Sequence, residues 1–186
     1  VGSLNVLWPS PKVFGSSGFE SIGYENEVIL PIKMQSKVDS DPVNLKIKGS
    51  IGICYDTCVP IEFETQSGLK TVSKDINTDL LAALANLPVS PSDLGKSNAR
   101  CSITFGPTGF KIEADIPYLE KTGSYVFFSI KGYRDALSIE QPKQFKPGKI
   151  ISASGDWYDK PSVKISGDLI TITQIDEGQV IEQEGC

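Results

Sequence analysis

Apolar and polar residues alternate with a period of two along several short stretches, which is the pattern of half-buried β-strands. In residues 43–49 the apolar side chains stand at every second position and are expected to face inward. The strand is predicted to continue into Cys54, and a second strand leads away from Cys58. The pattern therefore places two cysteines, three residues apart, at the turn between two strands.

Further strands are predicted on both sides of this pair. The first begins near Leu4 and ends at Pro9 and Pro11, because proline has no N–H to donate to a β-ladder. Residues 27–34 read as a strand with Pro31 at an edge or bulge. Strands of the second half are predicted at residues 101–105, 109–116, 124–130, 162–165, 169–173 and 179–184.

One segment, residues 77–87, carries a helical pattern. Asn77 or Thr78 can cap it, Asp79 suits its first turn, and Pro88 closes it.

Residues 88–98 are rich in proline, serine and glycine, which is typical of a linker. Short strands with turn signals at this spacing indicate β-sandwiches. We therefore expect an all-β protein with domains at residues 1–75 and 99–186, joined by a helix and linker at residues 76–98.

Composition narrows the functional classes. The chain of 186 residues is 39% hydrophobic and 22% charged, as soluble globular proteins are. A net charge of −5 argues against nucleic acid as a partner, because phosphate binding needs a basic face. The chain contains no histidine, which removes Ser-His and Cys-His catalysis and most catalytic zinc sites within it. No cofactor and no metal are expected.

The four cysteines separate into two pairs. Cys101 opens the second set of strands and Cys186 ends it, so a bond between them would close a long loop. Such a bond is worth roughly 4–5 kcal/mol in the chain-entropy model. We expect a structural Cys101–Cys186 disulfide, with free or intermolecular thiols as the alternative. Four cysteines also fit an oxidising compartment.

Cys54 and Cys58 remain as a pair of their own, and three interpretations are open. A disulfide across so small a loop gains little chain entropy and is expected to be easily reduced, which favours a redox couple. A minor structural disulfide in a turn is the second interpretation. A metal site is the least favoured: zinc knuckles usually have two residues between cysteines, and Val59 interrupts a copper-type Cys-Pro motif.

The surroundings of this pair predict slow exchange. The pair lies between strands and not at a helix N-terminus, so no helix dipole lowers a thiol pKa. The charge of Asp56, between the cysteines, opposes thiolate formation. We expect a protected couple that a docked partner activates. Tyr55 and either Phe14 or Phe19 are candidates to shield it or, equally, are core residues.

Several motifs resemble a known family when they are taken in order: residues 7–11 (Leu-Trp-Pro-Ser-Pro), 21–25 (Ser-Ile-Gly-Tyr-Glu), 28–32 (Val-Ile-Leu-Pro-Ile) and 53–60 (Ile-Cys-Tyr-Asp-Thr-Cys-Val-Pro). They are similar to the periplasmic N-terminal (alpha) domain of the thiol:disulfide interchange protein DsbD, most closely its ScsB-like branch. The ends of the second half, around Cys101 and Cys186, also fit that branch.

The resemblance implies two immunoglobulin-like β-sandwiches, the first carrying Cys54 and Cys58 as catalytic residues. It implies a periplasmic oxidoreductase that receives electrons from a membrane-embedded donor of the DsbD/CcdA type and passes them to thioredoxin-fold proteins. The family's cap loop would fall on residues 12–18, which makes Phe14 the best shielding candidate.

Two departures from the family pattern matter. DsbD itself spaces its active cysteines more widely, so the geometry of exchange is expected to differ. The family's first sandwich begins well upstream of the Trp-Pro-Ser-Pro motif, so we expect the first sandwich here to be incomplete at its N-terminus. The competing hypothesis for the whole chain is a non-catalytic β-sandwich interaction module in which all disulfides are structural.

Overall fold

A computed structural model describes residues 3–15, 21–35, 43–55, 57–69, 77–120, 123–133, 137–140, 150–157, 165–176 and 178–186. Within these residues the protein is mostly β, with one α-helix and thirteen strands. No helix in these ranges is long and apolar enough to cross a membrane.

The first half contains six strands in three two-stranded antiparallel sheets, β1 with β4, β2 with β3, and β5 with β6. Their bounds are β1 Ser3–Val6, β2 Lys12–Phe14, β3 Ser21–Gly23, β4 Ile32–Gln35, β5 Val43–Cys54 and β6 Cys58–Leu69. The prolines act as predicted, because Pro9 and Pro11 lie between β1 and β2.

The β5–β6 hairpin is amphipathic. Its register runs without a bulge from Val43 opposite Leu69 to Cys54 opposite Cys58. Because side chains alternate between the faces of a sheet, one face is apolar and the other is polar. The apolar face carries Leu45, Ile47, Ile51, Ile53, Val59, Ile61 and Phe63. The predicted alternation is confirmed here, since Leu45 and Ile47 are half-buried while the lysines between and after them are exposed.

The helix α1, Thr78–Ala85, begins where the sequence predicts. Asn77 is its N-cap, and the side-chain oxygen of Asn77 accepts a 2.9 Å hydrogen bond from the N–H of Leu80. Asp79 lies in the first turn, where its charge suits the helix dipole.

The second half is a sandwich of two antiparallel sheets. One has the order β10-β11-β8-β7 and the other β13-β12-β9. The strands are β7 Arg100–Phe105, β8 Gly109–Asp115, β9 Tyr125–Ile130, β10 Leu137–Glu140, β11 Ile151–Trp157, β12 Ile170–Asp176 and β13 Gln179–Glu184.

Both sheets of this sandwich contribute to one hydrophobic core. Ile112 on β8 and Ile172 on β12 are fully buried, and Val126 and Phe128 on β9 lie in the same cluster. Apolar burial of this kind, at roughly 25 cal/mol per Å², is the main stabilising term of a folded domain. The buried core found among the described residues therefore belongs almost entirely to the second half.

The linker after α1 protects an edge of the second sandwich. Val89 forms a parallel bridge to Ile181 on β13. The N–H of Val89 donates to the carbonyl of Val180 at 3.0 Å, and the N–H of Glu182 donates to the carbonyl of Val89 at 2.9 Å. An edge strand paired in this way is not free to pair with another chain.

Two expectations need correction in detail. Residues 27–31 are not a strand, and β4 begins after Pro31, whose carbonyl accepts the N–H of Leu7 at 2.8 Å. Ile165 is likewise outside any strand, and residues 162–164 lie outside the described ranges. The domain boundaries and the immunoglobulin-like topology remain predictions.

Candidate functional site

The candidate site is the tip of the β5–β6 hairpin. Cys54 ends β5, Cys58 begins β6, and a disulfide joins them across the last pair of the ladder. Both cysteines are exposed to solvent. The hairpin thus presents a disulfide at its end, where another protein can reach it.

The backbone at the tip shows what kind of pair the cysteines form. The N–H of Tyr55 donates to the carbonyl of Thr57 at 3.3 Å, and these two residues are the next pair beyond the cysteines. Antiparallel pairs alternate between hydrogen-bonded and non-hydrogen-bonded. Cys54–Cys58 is therefore a non-hydrogen-bonded pair, and its Cα–Cα distance of 4.0 Å fits the closer of the two spacings.

The disulfide lies on the polar face of the hairpin. Its neighbours along that face are Gly52 and Pro60, which are opposite each other in the register. Glycine has no side chain, and a Cβ built on Gly52 would meet no atom within 4 Å. The approach to the sulfurs along this face is therefore open. Sequence reasoning did not identify Gly52 and Pro60, although the period of two could have placed them beside the cysteines.

A small ionic group lies farther along the same face. Lys46 and Lys48 each contact Glu64 through their Nζ atoms at 2.7 Å. Hydrogen bonds from Lys46 and then Lys48 hold the pKa of the Glu64 carboxyl below its ordinary value. Exposed pairs of this kind contribute little stability. Their effect is to give β5 a cationic side that one carboxylate neutralises in part.

The two shielding candidates lie in different places. Tyr55 is at the hairpin tip and is 97% exposed. Phe14 ends β2 at 37% exposure, and its ring lies over Gly23 on β3. Asp56, the alternative candidate Phe19 and residues 16–18 of the expected cap loop are outside the described ranges. A shielding role for Tyr55 and Phe14 stays a prediction.

The second disulfide, Cys101–Cys186, is backed by the core of the second sandwich. The N–H of Cys186 donates to the carbonyl of Gly167 at 3.0 Å, and the N–H of Gly185 donates to the carbonyl of Ile170 at 2.9 Å. A Cβ on Gly167 would overlap the carbonyl oxygen of Cys186, so this position requires glycine. The C-terminal end of β13 is thereby held against the start of β12.

The side chain of Gln183 also joins the start and the end of the second sandwich, and the sequence analysis did not predict this contact. Its side chain is buried, accepts a 2.7 Å hydrogen bond from the N–H of Ala99, and donates to the carbonyl of Ala99 at 3.0 Å. A glutamine in an alternating strand usually faces solvent, so only the three-dimensional pairing reveals this clamp. It joins the two chain segments that the disulfide also joins.

Tyr24 and Glu182 mark where the first half meets the second. The Tyr24 hydroxyl donates to the carbonyl of Pro9 at 2.8 Å. Burial, and then the nearby charge of Glu182, raises the pKa of Tyr24. Burial also raises the pKa of Glu182, the charge of Glu184 adds to the rise, and a hydrogen bond from Thr173 opposes it.

Among the described residues no group of three or more potential metal ligands is present. The chemistry that the hairpin tip offers is that of its sulfur atoms. A disulfide in contact with solvent can be attacked by a thiolate, whereas one that is half-buried against a core, as Cys101–Cys186 is, is less accessible.

A comparison with known protein families finds a match for the part of the chain that contains the hairpin. Residues 2–70 match the profile of the family described as thiol:disulfide interchange protein DsbD, N-terminal. The match covers less than half of the chain, includes Cys54 and Cys58, and ends before α1. It supports the DsbD N-terminal family for this part and, in general terms, a role in thiol–disulfide interchange. No curated protein and no solved structure matches the chain.

Proposed function

We propose that Cys54 and Cys58 are the redox couple of a periplasmic thiol–disulfide interchange domain of the ScsB-like branch. In this function the domain receives reducing equivalents from a membrane-embedded donor of the DsbD/CcdA type. It passes them to periplasmic thioredoxin-fold proteins. The observation that carries the proposal is the solvent-exposed disulfide at the hairpin tip, inside the segment that matches the family.

The reaction has two half-cycles. A donor thiolate attacks one sulfur of the Cys54–Cys58 bond, a mixed disulfide forms, and the other sulfur leaves as a thiolate. The donor's second thiolate then attacks the mixed disulfide, so the donor ends oxidised and the Cys54/Cys58 couple ends reduced. In the second half-cycle the couple reduces a partner disulfide by the same two steps in reverse roles, and two electrons have moved.

The contrast between the two disulfides supports this assignment. The Cys101–Cys186 bond is packed against the core, which hinders the in-line approach of a thiolate. The Cys54–Cys58 bond has Gly52 and Pro60 beside it and an open face. Exchange at the hairpin can therefore proceed while the other bond holds the second sandwich.

The test is the reduction potential of each disulfide, resolved by site. The protein is equilibrated with glutathione buffers, free thiols are trapped, and the two cysteine pairs are quantified by peptide mass. We expect Cys54–Cys58 to be reduced at potentials at which Cys101–Cys186 stays oxidised. Equal resistance of both bonds would contradict the relay.

Trapping gives a second, independent measurement. A Cys58→Ser variant leaves Cys54 as a lone thiol. The probe is a thioredoxin-fold protein with one cysteine replaced and the other converted to a mixed disulfide with thionitrobenzoate. The Cys54 thiolate displaces thionitrobenzoate, and the mixed disulfide between the two proteins is expected to persist, because neither protein has a second thiolate to resolve it. The matched control is Cys186→Ser, which should trap no partner on Cys101.

A non-catalytic interaction module is the second candidate, and the apolar face of the hairpin favours it. Ile51, Ile53 and Val59 on that face are about half exposed, and exposed apolar patches often bind proteins. This candidate predicts that replacing Cys54 and Cys58 by serine lowers stability and leaves electron transfer unchanged. The site-resolved potentials separate the two candidates.

A further inference from the structure

The β5–β6 hairpin has two outer edges, and its register shows which backbone groups they present. In an antiparallel ladder the residues of non-hydrogen-bonded pairs direct N–H and C=O away from the partner strand. Cys54–Cys58 is such a pair. Every second pair from there toward Val43–Leu69 is therefore also non-hydrogen-bonded, beginning with Gly52–Pro60 and Ser50–Glu62. In the described part of the chain no third strand pairs with either edge.

The two edges differ next to the disulfide. On β6 the outward position is Pro60, which has no N–H, so a third strand would lose a hydrogen bond there. On β5 the outward position is Gly52, which has both an N–H and a C=O. The outward backbone N–H groups of β5 therefore continue as far as Cys54. On β6 their series is interrupted at Pro60, two residues from Cys58.

The space beside Gly52 is also free. A Cβ built on Gly52 meets no atom within 4 Å, whereas one on Gly49 would meet the ring of Phe63 at 2.8 Å. A Cβ on Gly68 at the other end of the hairpin would lie 3.4 Å from the side-chain oxygen of Asn44. Of these three glycines, the one beside the disulfide has the most open space above it on the face of the sheet, so the side chains of an added strand would meet no obstacle there.

We propose that a dithiol protein partner docks by adding an extended segment to the outer edge of β5 at Gly52, which brings its cysteine to the Cys54–Cys58 bond. This docking mode rests on the function proposed above and names how the partner is held. Backbone hydrogen bonds supply the affinity in such strand addition, and they do not depend on the side chains of one particular partner. The edge therefore suits a relay that exchanges with more than one protein.

A second copy of the chain fits this edge less well. β5 carries Lys46 and Lys48 and no acidic residue, so two β5 edges paired in parallel, or antiparallel about these lysines, would bring like charges together, which is unfavourable across a sheet. Pairing the β5 edge of one copy with the β6 edge of another would meet Pro60. Both arguments favour a different protein as the occupant.

The test uses the oxidised protein and reduced thioredoxin as the probe, with the second-order rate of Cys54–Cys58 reduction as the readout. Gly52→Pro removes the outward N–H and breaks no bond within the hairpin. We expect it to slow reduction by thioredoxin about tenfold, which corresponds to about 1.4 kcal/mol. Dithiothreitol is a small molecule that does not pair with a strand edge. The rate of reduction by dithiothreitol should change less than about twofold, far less than the tenfold loss expected with thioredoxin.

Two matched variants make the result specific. Glu62→Pro inserts the same residue at an outward position of the β6 edge and should leave the thioredoxin rate nearly unchanged. Gly52→Ala keeps the N–H, so it should react with thioredoxin faster than Gly52→Pro does. Should Gly52→Pro fail to form its disulfide, Ser50→Pro, at the next outward position of the β5 edge, takes its place with a smaller expected loss.

Several outcomes would overturn the docking mode. These are equal effects of Gly52→Pro and Glu62→Pro, an equal loss of the dithiothreitol rate, or a dimer of the unaltered protein that Gly52→Pro converts to monomer. If the unaltered protein does not react with thioredoxin while dithiothreitol reduces it, the proposed function fails instead, so the two failures are distinguishable.

Discussion

The hairpin that ends in Cys54–Cys58 and the sandwich that is closed by Cys101–Cys186 contain the same covalent bond in opposite settings. The hairpin has two strands, exposed cysteines and no buried side chain among those described. The sandwich has seven strands in two sheets around a core, and its disulfide packs on that core. The Cys101–Cys186 bond therefore packs against a hydrophobic core, whereas the Cys54–Cys58 bond is exposed to solvent.

Under the proposed function, this difference lets one chain keep a stable bond and an exchangeable bond together. Reactivity of a disulfide depends on access and on the stability of its reduced product. In the sandwich, reduction would release a loop closed over 85 residues of sequence separation. In the hairpin, reduction would open a loop whose two cysteines have a sequence separation of only 4.

Removing each disulfide in turn is the change with the largest expected effect. We expect Cys101→Ala with Cys186→Ala to lower the free energy of unfolding by roughly 4–5 kcal/mol, following the long closed loop. Cys54→Ala with Cys58→Ala should cost roughly 2 kcal/mol or less, because its loop is short. Urea unfolding followed by circular dichroism measures both. Similar losses from the two double variants would remove the distinction between the bonds.

The same amino-acid change in the two regions is the next test. Ile172 on β12 is fully buried, and Ile53 near the hairpin tip is 54% exposed. Ile172→Ala should lower the free energy of unfolding by about 2–5 kcal/mol, since it leaves a cavity in a packed core. Ile53→Ala should cost less than about 1 kcal/mol. If Ile53→Ala proved as costly, the hairpin's apolar face would have to be buried in the folded protein.

The smallest expected effect concerns Glu182 on β13, which lies close to Tyr24 of the first half. Its pKa is raised in the folded protein, so the folded state binds more protons than the unfolded state between the two pKa values. The associated stability is present at acidic pH and is lost as the pH rises through the raised pKa. Glu182→Gln removes the buried charge and should raise Tm at pH 7 by about 1–3 °C, with the gain vanishing near pH 4.

Two readouts accompany this variant. The pKa of Tyr24 should fall toward its ordinary value, because Glu182 contributes to raising it, and ultraviolet titration measures this. Glu62→Gln, on an exposed residue of β6, is the control. A gain in Tm that grows toward acidic pH would contradict the assignment.

Local patterns were enough to predict the hairpin and the helix. The alternation of residues 43–49 and the cysteine pair predict β5, β6 and their turn, since both strands are close in sequence. The cap at Asn77 is likewise a local signal, and the structure confirms it. Each of these features depends on residues within one turn or one hairpin.

Other elements depend on distant parts of the chain and were missed. β11 has the sequence Ile-Ser-Ala-Ser-Gly-Asp-Trp, in which small residues replace the β-branched ones that signal a strand. It is a strand because β8 and β10 pair with it on either side. The pairing of β1 with β4 is also long-range, and Pro31 made the start of β4 hard to place.

For the candidate site, residue types and spacing identified the cysteines but not their environment. That Gly52 and Pro60 lie opposite each other beside the disulfide follows from the register of the hairpin, which residue types alone do not give. The clamp by Gln183 depends on a contact with Ala99, 84 positions away. No local pattern contains that information.

The bond between Cys101 and Cys186 makes the second sandwich a covalent ring. A protease that cuts the chain once anywhere between these two residues leaves both fragments attached through sulfur. A cut in α1 or in the linker before Ala99, by contrast, releases the hairpin from the sandwich. A cut in the helix or linker therefore divides the chain into two covalently separate pieces, whereas a cut within the ring leaves the molecule covalently whole.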